Sequence, residues 1–558
     1  MPEPLAARQP ALAPARLARG ARGAVVAPHH LATQAGLAAL AAGGHAVDAA
    51  IAANAVLGVV MPNGCGVGGD AFWLVWDEAA GVQTALNGSG RSPGGLSADV
   101  LRRAGLSRVP LRGPHAITVP GAVRSWSDAH RRWGRLSRHA VLAAAIEQAE
   151  AGFPAWDGLI RAVEGLWNDI AGEPWANGFG SVWRPGARPW RPGEIVRLPA
   201  LATTLRTLAD EGFDAFYDGD LGERVVAGLR AAGGLHTVPD LQRHRSDWGV
   251  PVEASYRGVR VTTHPPNSSG FLALMLLRVL ERFELPAGAV YDGRGWSSAA
   301  WSHLMLEAAK LVYADRDQFL ADPAAREVPV AALLSDQHAD ALAGRIDRQA
   351  ADPAPTPVRT LVGGTIYLAV VDAAGNAVSL IQSNAAGFGS GVVDPATGVH
   401  FQDRGASFSL VPGHPNELTP GRRTAHTLLP GMLFRAGERR PWIVAGSMGG
   451  DIQPQIHAQL VSALVDGGAD VATAVAAPRV TVEPDSWFGP PLTVLADGPL
   501  ADGVSDELRA LGHRLTQVPY DGGLGHEHAI ELVEGGPAAG GSLAAIADPR
   551  SAGLAAVR

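Results

Sequence analysis

The spacing of hydrophobic and polar positions divides the chain into a helix-rich front part and a strand-rich part that starts near residue 365. Apolar residues that recur every three or four positions predict helices. Such patterns cover residues 31–61 (two helices hinged at Gly43-Gly44), 138–151, 201–232, 301–321 and 454–466. The helix at 301–321 is expected to end at Asp322-Pro323, because proline cannot continue a helix.

β-branched and apolar runs bounded by glycine predict strands. They lie at 71–77, 365–372, 376–383 and 441–446, with a strand pair near 491–534. Residues 259–283 predict a strand, a proline turn, a serine cap and a helix. Residues 349–362 contain three prolines and no periodicity, which predicts an exposed, mobile segment just before the strand-rich part.

The composition favours a soluble enzyme that acts on small molecules. The 558 residues carry 46 Lys and Arg against 54 Asp and Glu, a net charge of −8, which argues against nucleic acid or an anionic membrane as partner. A single cysteine, Cys65, excludes intramolecular disulfides and multi-cysteine metal sites. The arginine-rich N-terminus lacks the apolar core of a signal peptide, and polar residues interrupt the longest apolar stretch, 37–61. We therefore expect a cytoplasmic rather than a periplasmic protein, with no cofactor.

Several motifs suggest chemistry that their context does not support. The stretch "GCGVGG" (64–69) matches a dinucleotide fingerprint, but it follows a helix and opens a strand, the reverse of that site. Cys65 within it has no evident histidine partner and is interpreted as structural. Ser447 in "AGSMGGD" follows Ala445 at the position where a nucleophile elbow needs glycine. The histidines of "HH" (29–30) and "GHEH" (525–528) lack zinc spacing and predict caps or surface residues.

Two glycine stretches keep a structural and a catalytic interpretation. Gly449-Gly450 either form a plain turn or expose two N–H groups as an oxyanion hole. Thr365 follows two glycines in "GGTIYLAVVD", so it either opens a strand after a turn or becomes a new N-terminus when the chain is cut. The change from helix-rich to strand-rich sequence at this point favours the cut.

Two polar clusters, "FQDRGASF" (401–408) and "GRRTAHT" (421–427), lie between predicted strands. Their cationic residues either hold a substrate carboxylate or solvate loops. The residues concerned are Arg404, Arg422, Arg423 and His426.

Nine stretches in order resemble the γ-glutamyltransferases, which are N-terminal-nucleophile hydrolases. They span residues 24–480 and read "LAAGGHAVDAAIA", "PNGCGVGGDAFWLV", "ITVPGAVRSW", "HPPNSSGFLALMLL", "LEAAKLVYADRDQFLADP", "TIYLAVVDAAGNAVSLIQS", "FGSGVV", "GSMGGDIQPQ" and "AAPRV".

The resemblance implies an α+β fold, a four-layer αββα sandwich made as one precursor that cuts itself between Gly364 and Thr365. The products would be an α subunit, residues 1–364 with the tail 349–362, and a β subunit, residues 365–558; a dimer of such units stays open. The freed Thr365 would supply a hydroxyl nucleophile and, through its α-amine, the base. Gly449 and Gly450 would form the oxyanion hole, and Ser383 would hydrogen-bond the nucleophile.

The chain departs from the transferase pattern around the predicted substrate site. Ile366 replaces a second threonine, and Ala385 replaces an asparagine. Ser407 stands where the family has the acidic residue that binds the substrate ammonium. Ser89 aligns with the carboxylate-binding arginine, and His426-Thr427 align with a serine pair. The predicted substrate-binding residues are therefore Arg91, Arg404, Ser407, His426 and Thr427.

These departures predict an acylase acting on a small-molecule amide. A γ-glutamyl donor would lose about 1.5–3 kcal/mol of binding with the missing ammonium partner, whereas a glutaryl group has no ammonium. The leading hypothesis is transfer of a glutaryl group from an amine, such as a cephalosporin nucleus, to water through acyl-Thr365, with weak γ-glutamyl transfer. The alternatives are a true γ-glutamyltransferase or glutathione hydrolase, a hydrolase of small amides such as oxamate, and a non-enzymatic scaffold that stays uncut.

Overall fold

Two antiparallel seven-stranded sheets lie face to face in the computed structural model, which describes residues 16–286, 290–292, 295–353, 364–486, 489–498, 500–520 and 523–558. Strands are numbered in chain order. Sheet I runs, in spatial order, β19 (Leu554–Val557), β2 (Gly23–Ala27), β10 (Gly364–Asp372), β11 (Ala377–Ala385), β3 (Asp70–Asp77), β4 (Val82–Gly88) and β7 (Asp247–Gly249). Sheet II runs β1 (Ala18–Gly20), β18 (Ser542–Ala547), β17 (His526–Val533), β13 (Ile443–Met448), β12 (Gly431–Phe434), β9 (Val259–Thr263) and β8 (Val252–Tyr256). Two small sheets pair β14 (Val480–Ser486), β15 (Gly489–Asp497) and β16 (Leu515–Val518), and β5 (Phe153–Pro154) with β6 (Ile195–Val196).

Helices cover the outer face of each sheet. Those that share a buried core with sheet I are α1 (His30–Ala41), α2 (Ala46–Val60), α4 (Ala122–Trp133), α5 (Arg138–Ala151), α6 (Asp157–Ile170), α7 (Asn177–Trp183), α8 (Pro199–Asp210), α9 (Gly219–Ala231) and α10 (Val238–Gln242). Those over sheet II are α11 (Phe271–Leu280), α12 (Ala299–Phe319), α13 (Val330–Leu333), α14 (Asp336–Ala343), α15 (Gln453–Val465), α16 (Val471–Ala476) and α17 (Val504–Ala510). Helix α3 (Ala98–Arg103) belongs to a smaller cluster. This is the expected four-layer αββα sandwich.

The side-chain alternation of β10 explains why it lies in the middle of the molecule. Ile366, Leu368 and Val370 point into the helix-side core, and the residues between them, Tyr367 and Ala369, point towards sheet II. A strand buried on both faces reads as a continuous apolar run, as "TIYLAVVD" does. Thr365 is two residues before Tyr367 and therefore shares the inter-sheet face.

The helices and strands predicted from the sequence are confirmed with two corrections. The block at 201–232 is not one helix, because α8 ends at Asp210 and a short 3-10 turn at 213–216 separates it from α9. The predicted serine cap is wrong, since Gly270 occupies the N-cap of α11 and no side chain caps that end. Ser268 Oγ instead accepts the Gly270 N–H at 3.1 Å.

Each large sheet combines strands from both sides of the predicted cleavage site. In sheet I, β10 lies between β2 from the front of the chain and β11 from the back. In sheet II, β12 from the back pairs with β9 from the front. Most of the predicted proline-rich tail, 349–362, lies outside the described residues; in its described part, Ala351 N–H donates to Leu511 O at 2.7 Å. In the described part of the chain, helices are too short or too polar to cross a membrane.

Candidate active site

Three adjacent strands of sheet I place Thr365, Ser383 and Asp70 in one row. Thr365 of β10 is directly opposite Ser383 of β11, and Ser383 is directly opposite Asp70 of β3. Directly opposed residues of antiparallel strands project to the same face. All three are buried, and Thr365 is only 1% exposed, so the row lies in the space between the sheets.

The Ser383 hydroxyl joins the predicted nucleophile to the carbonyl of the bond that would be cut. Ser383 Oγ donates to Gly364 O at 2.8 Å and lies 2.9 Å from Thr365 Oγ1. A hydroxyl has one proton to give, so the Thr365 O–H must donate to Ser383. The Ala385 N–H also donates to Ser383 Oγ, at 2.7 Å, and holds it in place.

Gly364 is enclosed more tightly than the sequence indicated. A Cβ at this position would collide with Asn63 O and would lie 2.8 Å from Gly387 Cα. The backbone of the loop after β11 therefore forms one wall beside the scissile bond. Only glycine leaves room for the chain to pass between these two walls.

The predicted oxyanion-hole glycines lie at the same end of the sandwich as Thr365. Ser379 lies two residues before Ile381 on β11, and its Oγ contacts Ala445 O of β13 at 3.4 Å. The Tyr367 ring of β10 packs against Gly446, the next residue of β13. Following β13 from Ala445 towards its C-terminal end therefore leads towards the Thr365 end of β10. Gly449 and Gly450 follow β13 with φ of 153° and 59°, a left-handed pair that turns peptide N–H groups out of the strand. Their role as an oxyanion hole stays a prediction.

Arg404 is a buried guanidinium beside the two hydroxyls. Its Nη1 donates to Thr427 Oγ1 at 3.3 Å, and its Nη2 lies 3.5 Å from Ser383 Oγ. Within the described residues its Nε has no hydrogen-bond partner and the guanidinium makes no ion pair. Burial lowers the pKa of Arg404, partly offset by the field of Asp70. A buried cation with long contacts only to hydroxyls is poised to receive a carboxylate.

Asp70 and His426 form a buried pair behind Arg404. Asp70 accepts the Gly90 N–H at 2.9 Å, and its other oxygen lies 3.2 Å from His426 Nε2. His426 Nδ1 accepts the Leu428 N–H at 3.4 Å, which assigns the proton to Nε2. Burial raises the pKa of Asp70 to about 7 and, with the charge of Arg404, holds the pKa of His426 far below its usual range. His426 is therefore a neutral donor to Asp70, and its part in substrate binding stays a prediction.

Arg91 and Arg423 are held in ion pairs with aspartates, unlike Arg404 beside Thr365 and Ser383. Arg91 is 31% exposed and contacts Asp322 at 3.3 Å and Asp247 at 3.5 Å. Arg423 is buried, pairs with Asp247 and donates Nε to Ser89 O at 3.0 Å. Arg404 is thus the predicted arginine that the fold brings to the nucleophile.

Ser407 lies one 3-10 turn after Arg404. Its Oγ is buried, with no hydrogen-bond partner among the described residues, and its carbonyl accepts from Asn416 Nδ2 at 2.7 Å. No acidic group replaces the family's carboxylate at this position in the chain. Its part in substrate binding stays a prediction.

The loop after β11 brings in two residues that sequence reasoning missed, Arg112 and Asp403. Asp403 Oδ1 accepts the Ala386 N–H at 2.9 Å, and Arg112 Nη1 donates to Gly387 O at 2.8 Å and also to Gly389 O. Burial raises the pKa of Asp403 to about 6, against the nearby charge of Arg112, 3.7 Å away. Asp70 was missed too, although an acid at the entrance to the wholly apolar run "AFWLVW" is the signal that marks it.

The remaining motifs have structural roles. Cys65 is buried between α2 and β3, and burial raises the pKa of its thiol. His29 caps α1 by accepting the Leu31 N–H, and His526 and His528 lie in β17. In the described part of the chain, His303, Glu307 and His513 have ligand atoms within 4.8 Å of one another. His303 and His513 are hydrogen-bonded to each other and Lys310 pairs with Glu307, so a metal would have to displace these contacts and oppose a positive charge.

Comparisons with known proteins agree with this geometry. The family model described as gamma-glutamyltranspeptidase matches residues 32–558. The chain is 38% identical over 538 residues to the glutathione hydrolase-like YwrD proenzyme of Bacillus subtilis, covering 96% of this chain and 98% of that protein. It is 36% identical over 544 residues to the oxamate amidohydrolase proenzyme of Klebsiella pneumoniae, with coverage of 96% and 98%. The crystal structure of cephalosporin acylase from Bacillus halodurans superposes with a TM-score of 0.89 at 35% identity, covering 100% of this chain and 99% of that one. The chain therefore belongs to the γ-glutamyltranspeptidase family, within the N-terminal-nucleophile hydrolase fold.

Proposed function

We propose that this chain is a self-cleaving amidohydrolase that takes a carboxylate-bearing acyl group, of glutaryl type, onto Thr365 and passes it to water. The observation that carries the proposal is the buried guanidinium of Arg404 beside the Thr365–Ser383 hydroxyls, which forms no ion pair with the residues that the structure describes. Amide hydrolysis itself is supported by the family and by the names of its related proenzymes and acylase.

Self-cleavage begins with proton transfer through the hydroxyls of Thr365 and Ser383, which we call the hydroxyl relay. Thr365 Oγ attacks the Gly364 carbonyl carbon, its proton passes to Ser383, and Ser383 gives its own proton to Gly364 O. The hydroxyl formed on the Gly364 carbonyl carbon then gives its proton to the Thr365 nitrogen. Collapse of the intermediate breaks the Gly364–Thr365 C–N bond, re-forms the carbonyl and leaves an ester on Thr365 Oγ and a free α-amine. Water then hydrolyses the ester, so the products are a Gly364 carboxylate and an N-terminal Thr365. The relay needs no separate base, because each of its protons moves along a hydrogen bond of 2.8 or 2.9 Å.

Turnover uses the same threonine in its new state. An α-amine has an ordinary pKa of about 7.7–8.0, so a useful fraction is neutral near neutral pH and can take the Thr365 hydroxyl proton. The acyl carbonyl oxygen would be held by the N–H groups of Gly449 and Gly450 as charge develops. The amine then returns the proton to the leaving nitrogen, and water releases the acyl group by the reverse steps.

The position of Arg404 also favours a second candidate, a short acyl group such as that of oxamate. Ser383 Oγ lies 2.9 Å from Thr365 Oγ1 and 3.5 Å from Arg404 Nη2, so the guanidinium is no farther from the nucleophile than the sum of these distances. A two-carbon acyl group has its carboxylate next to the reacting carbon. A five-carbon glutaryl group must bend for its far carboxylate to meet the same cation.

A two-part experiment tests the proposal. Mass spectrometry of the expressed chain should give two fragments, the smaller beginning Thr-Ile-Tyr; Thr365→Ala should stay uncut and inactive, and Thr365→Ser should keep part of both activities. The cut enzyme is then given oxamate, malonamate, succinamate and glutaramate, with γ-glutamyl anilide and butyramide for comparison. A peak of kcat/KM at glutaramate supports the proposal, whereas a peak at oxamate supports the second candidate. Equal or faster cleavage of butyramide, or an uncut active Thr365→Ala protein, contradicts it.

A further inference from the structure

We propose that Arg112 is the binding site for a carboxylate carried by the leaving amine, so that the preferred substrates have a carboxylate on both sides of the scissile amide. This inference rests on the proposed function and adds the other half of the substrate to it. Nothing in the sequence patterns pointed to Arg112, which lies in an irregular segment before a 3-10 turn at Pro114–Ala116.

The uncut chain itself indicates where the leaving amine must bind. During turnover the Thr365 α-amine has to protonate the leaving nitrogen, so that nitrogen must come within hydrogen-bond reach of the amine. In the precursor, Gly364 occupies the space next to the Thr365 nitrogen, because the Gly364 carbonyl carbon is bonded to that nitrogen. Once the chain is cut and Gly364 withdraws, its space is open to the amine part of a substrate.

Arg112 stands at the rim of that space. Gly387, whose Cα would be 2.8 Å from a Cβ on Gly364, forms the wall of the space. Arg112 Nη1 donates to the carbonyl oxygen of this same Gly387 at 2.8 Å. The neighbouring Gly113 N–H donates to Ser390 O at 2.8 Å, so the segment that carries Arg112 is fastened to this loop.

The guanidinium retains donors for a ligand. Nη1 alone donates to Gly387 O and Gly389 O, and within the described residues Nε and Nη2 make no hydrogen bond. The side chain is 22% exposed, which suits a group at an entrance rather than in the core. Asp403 Oδ2 lies 3.7 Å from the same Nη1, so this ion pair also leaves Nε and Nη2 open within the described residues. A planar guanidinium with one edge fixed and one edge open fits a carboxylate in bidentate fashion.

The two arginines of the site then bind the two carboxylates of the substrate, one on each side of the scissile amide. Arg404 is buried with the hydroxyl row and faces the acyl carboxylate, while Arg112 faces the amine's carboxylate. The ligand class is an N-acylated amino acid or aminobenzoate whose acyl group is itself a dicarboxylic acid.

The test compares two amides that differ by one carboxylate, glutaryl-4-aminobenzoate and glutaryl-anilide, in the wild-type enzyme and in Arg112→Gln. We expect the wild type to prefer the aminobenzoate and Arg112→Gln to lose about tenfold of that preference in kcat/KM. Arg112→Lys should keep part of it. Arg103→Gln, which removes the same charge from an exposed position on α3, should keep all of it. A structural role for Arg112 in the loop would slow both amides equally and leave their ratio unchanged, which would overturn the proposal.

A second measurement separates this inference from the acylase proposal. If the cut wild-type protein hydrolyses neither amide, binding of free 4-aminobenzoate and aniline is followed by saturation-transfer NMR. Binding of 4-aminobenzoate that disappears in Arg112→Gln and survives in Arg103→Gln supports the amine site, even though the acyl assignment has failed. Equal binding to all three proteins overturns it, and so does a wild-type chain that stays uncut, because Gly364 then still fills the space.

Discussion

The Ser383 hydroxyl has both functions that self-cleavage requires. It accepts the proton of the Thr365 nucleophile, and it donates a hydrogen bond to the Gly364 carbonyl that Thr365 attacks. We predict that Ser383→Ala slows cleavage of freshly translated chain by about a hundredfold or more, because both proton transfers are lost. Cleavage is followed on a denaturing gel at timed intervals.

The matched control for this change is Ser379→Ala, four residues earlier on the same face of β11. It removes a buried hydroxyl bonded to Tyr367 but none next to Gly364. Cleavage in Ser379→Ala should proceed at close to the wild-type rate. Equal rates for Ser383→Ala and Ser379→Ala would mean that the relay does not carry the reaction.

Sequence reasoning found the residues of the site that motifs mark, and missed those that only folding brings near. Thr365 and Ser383 were identified from their family context, and the strand register places them opposite each other. Arg112 comes from a distant part of the chain and carries no sequence signal, so three-dimensional packing was needed to find it; Asp70 is marked only by its place before an apolar run. Arg91, Arg404 and Arg423 could be separated only once their ion pairs were known, since exposure and pairing are not properties of residue type.

At the scale of elements, the contact between β10 and β13 brings the strand of the predicted nucleophile towards the predicted oxyanion-hole glycines, Gly449 and Gly450. Tyr367 lies flat against Gly446, and its hydroxyl is held by Ser379 at 2.8 Å, so the ring cannot easily move aside. Gly446→Ala should therefore lower the free energy of unfolding by about 1–3 kcal/mol through overpacking. Urea unfolding in a Thr365→Ala background, which keeps the chain in one piece, measures the change.

Gly165→Ala provides the comparison for Gly446→Ala. Gly165 lies within α6, and an added Cβ would meet nothing within 4 Å. Alanine there should stabilise the protein by about 0.5–1 kcal/mol, since it improves helix propensity without a clash. A neutral or stabilising Gly446→Ala would show that the sheets can separate slightly at this point.

The sequence predicted element type better than element ends. Periodicity follows from which face is buried, so long patterns such as 301–321 were readable. The break between α8 and α9 depends on Gly212 and on a 3-10 turn that docks Phe213 and Phe216 in the core, and composition alone does not reveal this docking. The four-layer arrangement came from the family resemblance, because periodicity does not specify how strands pair between distant segments.

At the scale of the whole molecule, buried carboxyls connect stability to pH. Burial raises the pKa of Glu527 to about 8, although Arg479 lies 3.8 Å away. Between about pH 4.5 and 8 the Glu527 carboxyl is protonated in the folded chain and ionised in the unfolded chain. The contribution of Glu527 to the unfolding free energy therefore falls as pH rises. Glu527→Gln should remove this fall, and its stability relative to the wild type should increase from pH 5 to pH 8.

The measurement is urea unfolding at pH 5, 6.5 and 8, again in the Thr365→Ala background. Buried histidines affect both proteins alike, so the difference between them isolates Glu527. Glu147→Gln, at an exposed position on α5, should give a pH-independent difference. A constant difference for Glu527→Gln as well would mean that Glu527 is ionised in the folded protein across this range.

Because strands of both fragments alternate in the two large sheets, the cleaved protein would keep the fold reached by the uncut chain but would not easily refold after unfolding. Cleavage before Thr365 would leave β10 and β11 between strands of the other fragment, so neither fragment alone holds either of the two seven-stranded sheets complete. Folding of the uncut chain is a first-order process, whereas reassembly of two denatured fragments depends on their concentration and competes with aggregation of unpaired strand edges. The working life of each enzyme molecule would then be set by how rarely it unfolds, and the cell would replace lost activity by synthesis rather than by refolding.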